Sequence, residues 1–235
     1  MVNGVGAMKD VCADKFSQLD VVANNLANVS TPGFKVEHLY QSYKSSPDDS
    51  AAGEKTSYMF VDYSPGILQK TDNALDVAIN GEGFFVIETQ AGITYTRKGN
   101  FTVNKNKQLV TQSGDYVLGE AGPIKINGRN VNIDNSGTIR VDGMEAGKLK
   151  IVSFDNRQKL VKHGDGLFMN NGDASMKKVE KPYVSAGHLE LSNVNAIQEM
   201  VEMISIERSF EAYHKTMKMM EDMDKLSTSR IGRLA

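Results

Sequence analysis

The sequence predicts an α+β chain: a long helix at each terminus, the two pairing as a coiled-coil-like domain, and a central antiparallel all-β domain. Three observations predict it. The prolines are Pro32, Pro47, Pro65, Pro123 and Pro182, so both ends lack proline, and residues 188–231 also lack glycine. Most of the 21 glycines crowd between Gly66 and Gly187. There, short apolar runs recur at roughly ten-residue spacing between turn dipeptides, too close for intervening helices and hence for parallel βαβ units. The boundaries expected are residues 1–35 for the N-terminal helix, 36–72 for an extended connector, 73–188 for the β domain and 189–235 for the C-terminal helix.

The N-terminal helix is expected from about Val5 to Asn28, roughly 36 Å at ~1.5 Å per residue. Val5, Met8, Cys12, Lys15, Leu19, Val22, Leu26 and Val29 follow alternating steps of three and four. All but Lys15 are apolar, with Phe16 beside the exception, which is the pattern of a narrow coiled-coil seam. Asn28 is expected to take the left-handed conformation that ends the helix, and Thr31-Pro32-Gly33 stops it. Taken alone, Asn28 is a cap and Asn24 and Asn25 are exposed side chains. In a close-packed assembly the three would instead hydrogen-bond across chains and fix register.

The connector carries a polar stretch from Ser45 to Lys55, read as a loop or mobile tip. In the middle domain the expected strands are 84–88, 93–97, 108–111, 116–118, 124–126, 131–133, 138–141, 149–154 and 167–169. The turns between them include Ser113-Gly114-Asp115, Asn127-Gly128, Asp134-Asn135-Ser136-Gly137, Asp142-Gly143 and Asn171-Gly172. Asn80-Gly81-Glu82-Gly83 reads as a hairpin turn before a buried strand. It lacks the third glycine and the helix of a phosphate-binding loop.

Asn195 with Gln198 resembles a capping box at the start of the C-terminal helix. Met203, Ile206, Phe210, Tyr213, Met217 and Met220 then repeat the alternating steps, and Ile197, Val201 and Ile204 form a second row on a neighbouring face. Methionine adapts to irregular gaps, and six of the 12 methionines lie between Met200 and Met223. The C-terminal row reads either as the core face of a helical hairpin or as an assembly surface, and the second is favoured because each seam is too long and narrow to be buried by the other helix alone. The residues expected at that interface are Val5, Met8, Cys12, Leu19, Val22, Asn24, Asn25, Leu26, Asn28, Val29, Ile197, Val201, Ile204, Ile206, Phe210, Tyr213, Met217 and Met220.

Composition narrows the function. Lys and Arg number 27 against 29 Asp and Glu, a net charge of −2, which argues against nucleic acid as a partner. A single cysteine, Cys12, rules out a disulfide framework within the chain and a cysteine-cluster zinc site. His38, His163, His188 and His214 are scattered. With no Trp and 7% aromatic residues, a deep aromatic ligand pocket is not expected. No apolar run approaches the ~18 residues of a membrane span, and the first residues lack the pattern of a secretory signal. Asp72, Asp76 and Asp165 are not placed on one cleft by anything in the sequence, Asp134–Gly137 is too short for a calcium loop, and Lys177-Lys178 with Lys181 reads as a solvated patch. Catalytic, cofactor and metal sites are therefore not expected. A β-rich binding module on a helical stalk is the other class such a pattern allows. A stalk, however, would put its coil on one side of the head, whereas here a coil segment lies at each terminus.

Leu19-Asp20-Val21-Val22-Ala23-Asn24-Asn25-Leu26-Ala27-Asn28 followed by Thr31-Pro32-Gly33-Phe34-Lys35 resembles the N-terminal signature of the flagellar rod and hook protein family. Leu75-Asp76-Val77-Ala78-Ile79-Asn80-Gly81-Glu82-Gly83-Phe84-Phe85-Val86 is similar to that family's central motif, continued by Tyr95-Thr96-Arg97-Lys98-Gly99-Asn100-Phe101 and Leu109-Val110-Thr111. Leu191-Ser192-Asn193-Val194-Asn195 with Glu199-Met200-Val201 resembles the start of its C-terminal helix. The resemblance extends over nearly the whole chain. Serine stands at Ser30 where the family usually has asparagine. Tyr63-Ser64-Pro65-Gly66, Val117-Leu118-Gly119-Glu120, Phe210-Glu211-Ala212-Tyr213 and the short segment between Lys35 and Thr71 favour the proximal-rod branch over the distal-rod branch. The resemblance implies a structural, non-enzymatic subunit of the flagellar basal body in the periplasm. It would be exported by the flagellar type III apparatus without a cleavable signal peptide and would pack through its terminal helices against copies of itself and other rod subunits. It implies no membrane insertion.

Overall fold

The computed structural model describes residues 2–43, 55–179 and 182–231, and the chain is α+β: a helix near each end and antiparallel β-structure between them. It divides into two compact units, one of residues 1–27, 37–60 and 195–235, the other of 28–36 and 61–194.

The first unit holds α1 (Val2–Ala27), α2 (Ala196–Ile231) and a two-stranded sheet of β1 (Glu37–Tyr43) and β2 (Lys55–Val61). Of the polar stretch 45–55 expected to be a loop, residues 45–54 lie outside the described residues and Lys55 begins β2. The helices run antiparallel, since Asn25 meets Glu199 near one end and Phe16 meets Phe210 further along. Asn195 caps α2 as expected, its Oδ1 accepting from the Ile197 and Gln198 amides at 3.2 and 3.4 Å. Glu199 in the first turn adds a favourable charge at the positive end of the helix. On β1 and β2 the rings of Tyr40, Tyr58 and Phe60 cluster on one exposed face.

The second unit begins where α1 ends. Asn28 does not take the expected left-handed conformation. Its carbonyl and side chain instead accept from the Thr31 amide and hydroxyl, and the left-handed residue is Gly33, at φ +68°. Glycine takes that conformation without steric cost, whereas asparagine has a better use for its side chain in the turn.

In chain order the strands that follow are β3 (Leu68–Lys70), β4 (Val77–Asn80), β5 (Phe84–Thr89), β6 (Gly92–Thr96), β7 (Thr102–Val103), β8 (Leu109–Val110) and β9 (Tyr116–Gly119). Ten further short strands complete the unit between Gly122 and Glu190. β5 is central, pairing antiparallel with β6, β9 and Ile151–Phe154. Its alternation is why Phe84-Phe85-Val86-Ile87 reads as a continuous apolar run, because both faces are covered. Phe85 and Ile87 pack with Val77, Phe101, Leu109, Val117 and Ile139, while Phe84 and Val86 pack with Tyr95, Phe154 and Phe168.

The Asn80–Gly83 turn is not a hairpin. β4 before it pairs with Tyr183–Ala186, and β5 after it belongs to the larger sheet. The strands at Met144–Lys148, Met176–Lys178 and His188–Glu190 have no expected counterpart. Sequences such as MEAGK and MKK lack β-branched and aromatic residues and are strands because neighbours pair with them.

Candidate assembly interface

The α1–α2 pair buries one row of α2 and leaves the other out. Ile206 is buried, and Met203, Phe210, Tyr213, Met217 and Met220 on the same face are half-buried. Phe210 meets Phe16 edge to face, ring centroids 4.8 Å apart. On α1, Val22 is buried, and Cys12, Leu19 and Leu26 are half-buried. The side chains of Val5 and Met8 lie outside the described ones. Phe16, Leu19, Ile206 and Phe210, with Lys15, Glu207 and Glu211, line an open groove of ≈ 410 Å³. By contrast Ile197, Val201 and Ile204 are 75%, 63% and 50% exposed, the opposite of what an isolated chain should do with three aliphatic side chains.

Asn25 and Asn24 separate in role. Asn24 is exposed. Asn25 is 1% exposed and hydrogen-bonds within its own chain. Its Oδ1 accepts from the Glu37 amide at 3.0 Å, and its Nδ2 donates to the Glu37 carbonyl at 2.8 Å and to Glu199 Oε2 at 3.2 Å. One side chain thus satisfies both main-chain groups of the first β1 residue and ties the end of α1 to the start of α2. Burial raises the Glu199 carboxyl above the ordinary range against the opposing Asn25 bond; Glu202 raises it further and His38 lowers it. Asn28 and Val29 are half-buried and lie in the second unit.

In the second unit the motif residues of the sequence converge on a buried charge node that sequence reasoning did not single out as a site. Glu190 accepts from Lys35 Nζ at 2.5 Å and the Gly66 amide at 3.0 Å on Oε1, and from Arg97 Nε at 2.9 Å and Nη2 at 2.8 Å on Oε2. All three charged side chains are buried. Desolvation lowers the Lys35 and Arg97 pKa values, and the Glu190 carboxylate opposes it in both. Arg97 spends its remaining donors on the carbonyls of Gly81, Gly83 and Ile79, which explains the glycine-rich turn as a guanidinium cradle. Lys35 also donates to the Ser64 carbonyl, and Asn193 binds the Val36 amide and the Asp62 carbonyl.

Two motif glycines are fixed by close approach. A Cβ on Gly33 would stand 2.5 Å from the Arg97 carbonyl carbon, and one on Gly66 1.9 Å from the Leu191 carbonyl oxygen. A charge set between apolar neighbours, as in Phe34-Lys35-Val36 and Leu189-Glu190-Leu191, is the sequence signal that could have pointed to the node.

Asp72, Asp76 and Asp165 have separate partners. Asp72 pairs with Lys70, Asp76 accepts from Asn73, and Asp165 accepts from Lys98 and Ser113, the Lys98 hydrogen bond above all holding its pKa low. Lys177 and Lys178 pair with Asp155 and Glu120, and Lys181 lies outside the described residues. Among the described residues no group of His, Cys, Asp and Glu could hold a metal ion, and no helix is long and apolar enough to cross a membrane.

Three family models match the chain. Residues 13–35 match the flagella basal body rod protein model, 78–141 the flagellar hook protein FlgE/F/G D1 domain, and 185–230 the flagellar basal body rod FlgEFG protein C-terminal model. The flagellar basal-body rod protein FlgF of Caulobacter vibrioides is 33% identical over 227 residues, covering 92% of this chain and 93% of the relative. FlgF of Mesorhizobium japonicum is 30% identical over 83% of each chain, and the rod protein FlgG of Bacillus subtilis 30% identical over 92% of each. The Asn25 clasp lies in the first matched segment and Arg97 in the second, while Glu190 and Asn193 lie in the third, so the matched segments hold the residues that fasten each unit internally. This chain belongs to the FlgE/F/G family of flagellar basal-body rod and hook proteins, and within it is FlgF-like.

Proposed function

We propose that the chain is a structural subunit of the bacterial flagellar basal-body rod. It polymerises through its terminal helices into the shaft that carries torque from motor to hook. The observation that carries this reading is similarity to named rod proteins across about nine-tenths of both chains, the helical ends included. The physical reading agrees with it. α1 and α2 pair in a coiled-coil-like manner through the Ile206–Phe210 face, and the exposed Ile197–Val201–Ile204 row is left for a neighbour. In this reading the paired helices α1 and α2 form the helical assembly domain and the β domain forms an outer layer. The neighbours are copies of the chain and other rod subunits. The protein reaches the periplasm through the flagellar type III export apparatus and performs no catalysis.

Val201→Asp tests this. The residue is exposed in the single chain, so folding should be unaffected within about 0.5 kcal/mol. A charge buried in an assembled shaft would cost several kcal/mol. Cells carrying it should make soluble, folded protein yet fail to swim, as cells lacking the gene should. Normal swimming would contradict the assembly role of that face.

A further inference from the structure

Eight of the exposed side chains of α2 form one continuous stripe. Ile197, Val201, Ile204, Arg208, Glu211, Lys215 and Met219 lie within about 80° of one another around the helix at ~100° per residue, and Met223 lies about 40° further round. The stripe is aliphatic at its start, charged in the middle and methionine-rich beyond. Arg208 and Lys215 have no ion-pair partner in this chain among the described residues, so the middle carries a net positive charge.

The exposed stripe of α1 is its complement in size and sign. Ala13, Ser17, Asp20, Asn24 and Ala27 recur at steps of four, three, four and three, and all are exposed. They are small, except for one carboxylate and one amide. Asp20, too, has no ion-pair partner within the chain among the described residues.

We infer that the outer stripe of α2 docks against the outer stripe of α1 of a second copy of this chain, with Arg208 opposite Asp20. The inference rests on the proposed polymerisation and specifies which faces meet. Copies in a helical stack share one direction, and α1 and α2 run antiparallel within a copy. The contact between copies is therefore antiparallel too, and it is heterologous, so it propagates instead of closing on itself. With Asp20 opposite Arg208, Asn24 lies beside Ile204 and Ala27 beside Val201. Bulky aliphatic side chains then enter the shallow surface left by small ones, and Arg208 and Asp20 each gain a partner.

The test uses the full chain in its own cells. A benzophenone amino acid replacing Val201 should, on illumination of purified basal bodies, crosslink to the segment 13–27 of a second copy. Capture of a different protein, or of another segment of this chain, overturns the inference. In parallel, Asp20→Arg and Arg208→Asp should each lower the yield of completed rods at least about tenfold, because like charges then face each other. The double exchange should restore it to within about twofold. Both residues are exposed, so the helical circular dichroism of each purified variant should match the parent. Absence of rescue with the chain still present in rods overturns the docking register and leaves the rod assignment standing. Absence of the unmodified chain from basal bodies overturns both.

Discussion

Glu190 holds two buried cations, Lys35 and Arg97, so the node carries one positive charge more than it can neutralise. Removing the anion is therefore the worst change available there. Glu190→Ala should cost about 3–5 kcal/mol, the range for breaking a buried pair and stranding its partners, and two are stranded here. Lys35→Met removes the surplus cation, keeps the stem volume and leaves the Arg97–Glu190 pair intact. It should cost clearly less, and chemical denaturation of the two variants followed by a β-domain signal measures the difference. Equal losses would mean that the node acts through packing instead of charge. Gly33→Ala should cost at least ~1–2 kcal/mol in the same assay from the left-handed backbone alone, and more from the approach to the Arg97 backbone. Little of this was legible in the sequence. Lys35 and Glu190 are 155 residues apart and Arg97 and Glu190 93 apart, and no local rule pairs charges across such distances. What sequence did offer was a charge between apolar neighbours.

Among the elements, the helices and the central strands were legible because their signals are local: breaker-free runs, alternating steps and turn dipeptides. The division of labour between the two rows of α2 was not. Which row faces α1 depends on the register of the pair. That register is fixed at one end by Asn25 meeting Glu199, a contact 174 residues apart in sequence. The burial of Glu199 at that contact makes the helical unit respond to pH. The Glu199 carboxyl is raised in the folded state, so its contribution to stability is fully present below the unfolded glutamate pKa of about 4.3. It is lost as pH rises through the raised folded value. Amide exchange in the first turns of α2 should accordingly quicken as pH rises across that window, after correction for intrinsic exchange, and Glu199→Gln should flatten the dependence. A parent and variant with identical profiles would remove Glu199 from the account. Phe210 is half-buried against Phe16, so Phe210→Ala should destabilise the helical unit by about 1–2 kcal/mol, below the ~3–5 for a fully buried phenylalanine. Exposed Lys218→Ala should be near neutral. Helix melting followed by circular dichroism compares them, and equal effects would mean that Phe210 is not on the packing face.

At the scale of the whole molecule, each unit fastens itself through buried polar contacts, yet α2 keeps aliphatic side chains in water. A chain that folds this way and also belongs to a rod and hook family is best understood as a building block whose last contacts are made by neighbours. The most direct measurement is electron microscopy of basal bodies purified from otherwise identical cells with and without this chain, with the protein content of each preparation measured. The chain should be a component of the parent basal bodies, and without it the rods should stop short and carry no hook. Rods of full length bearing hooks in the absence of the chain would contradict its role as a rod subunit.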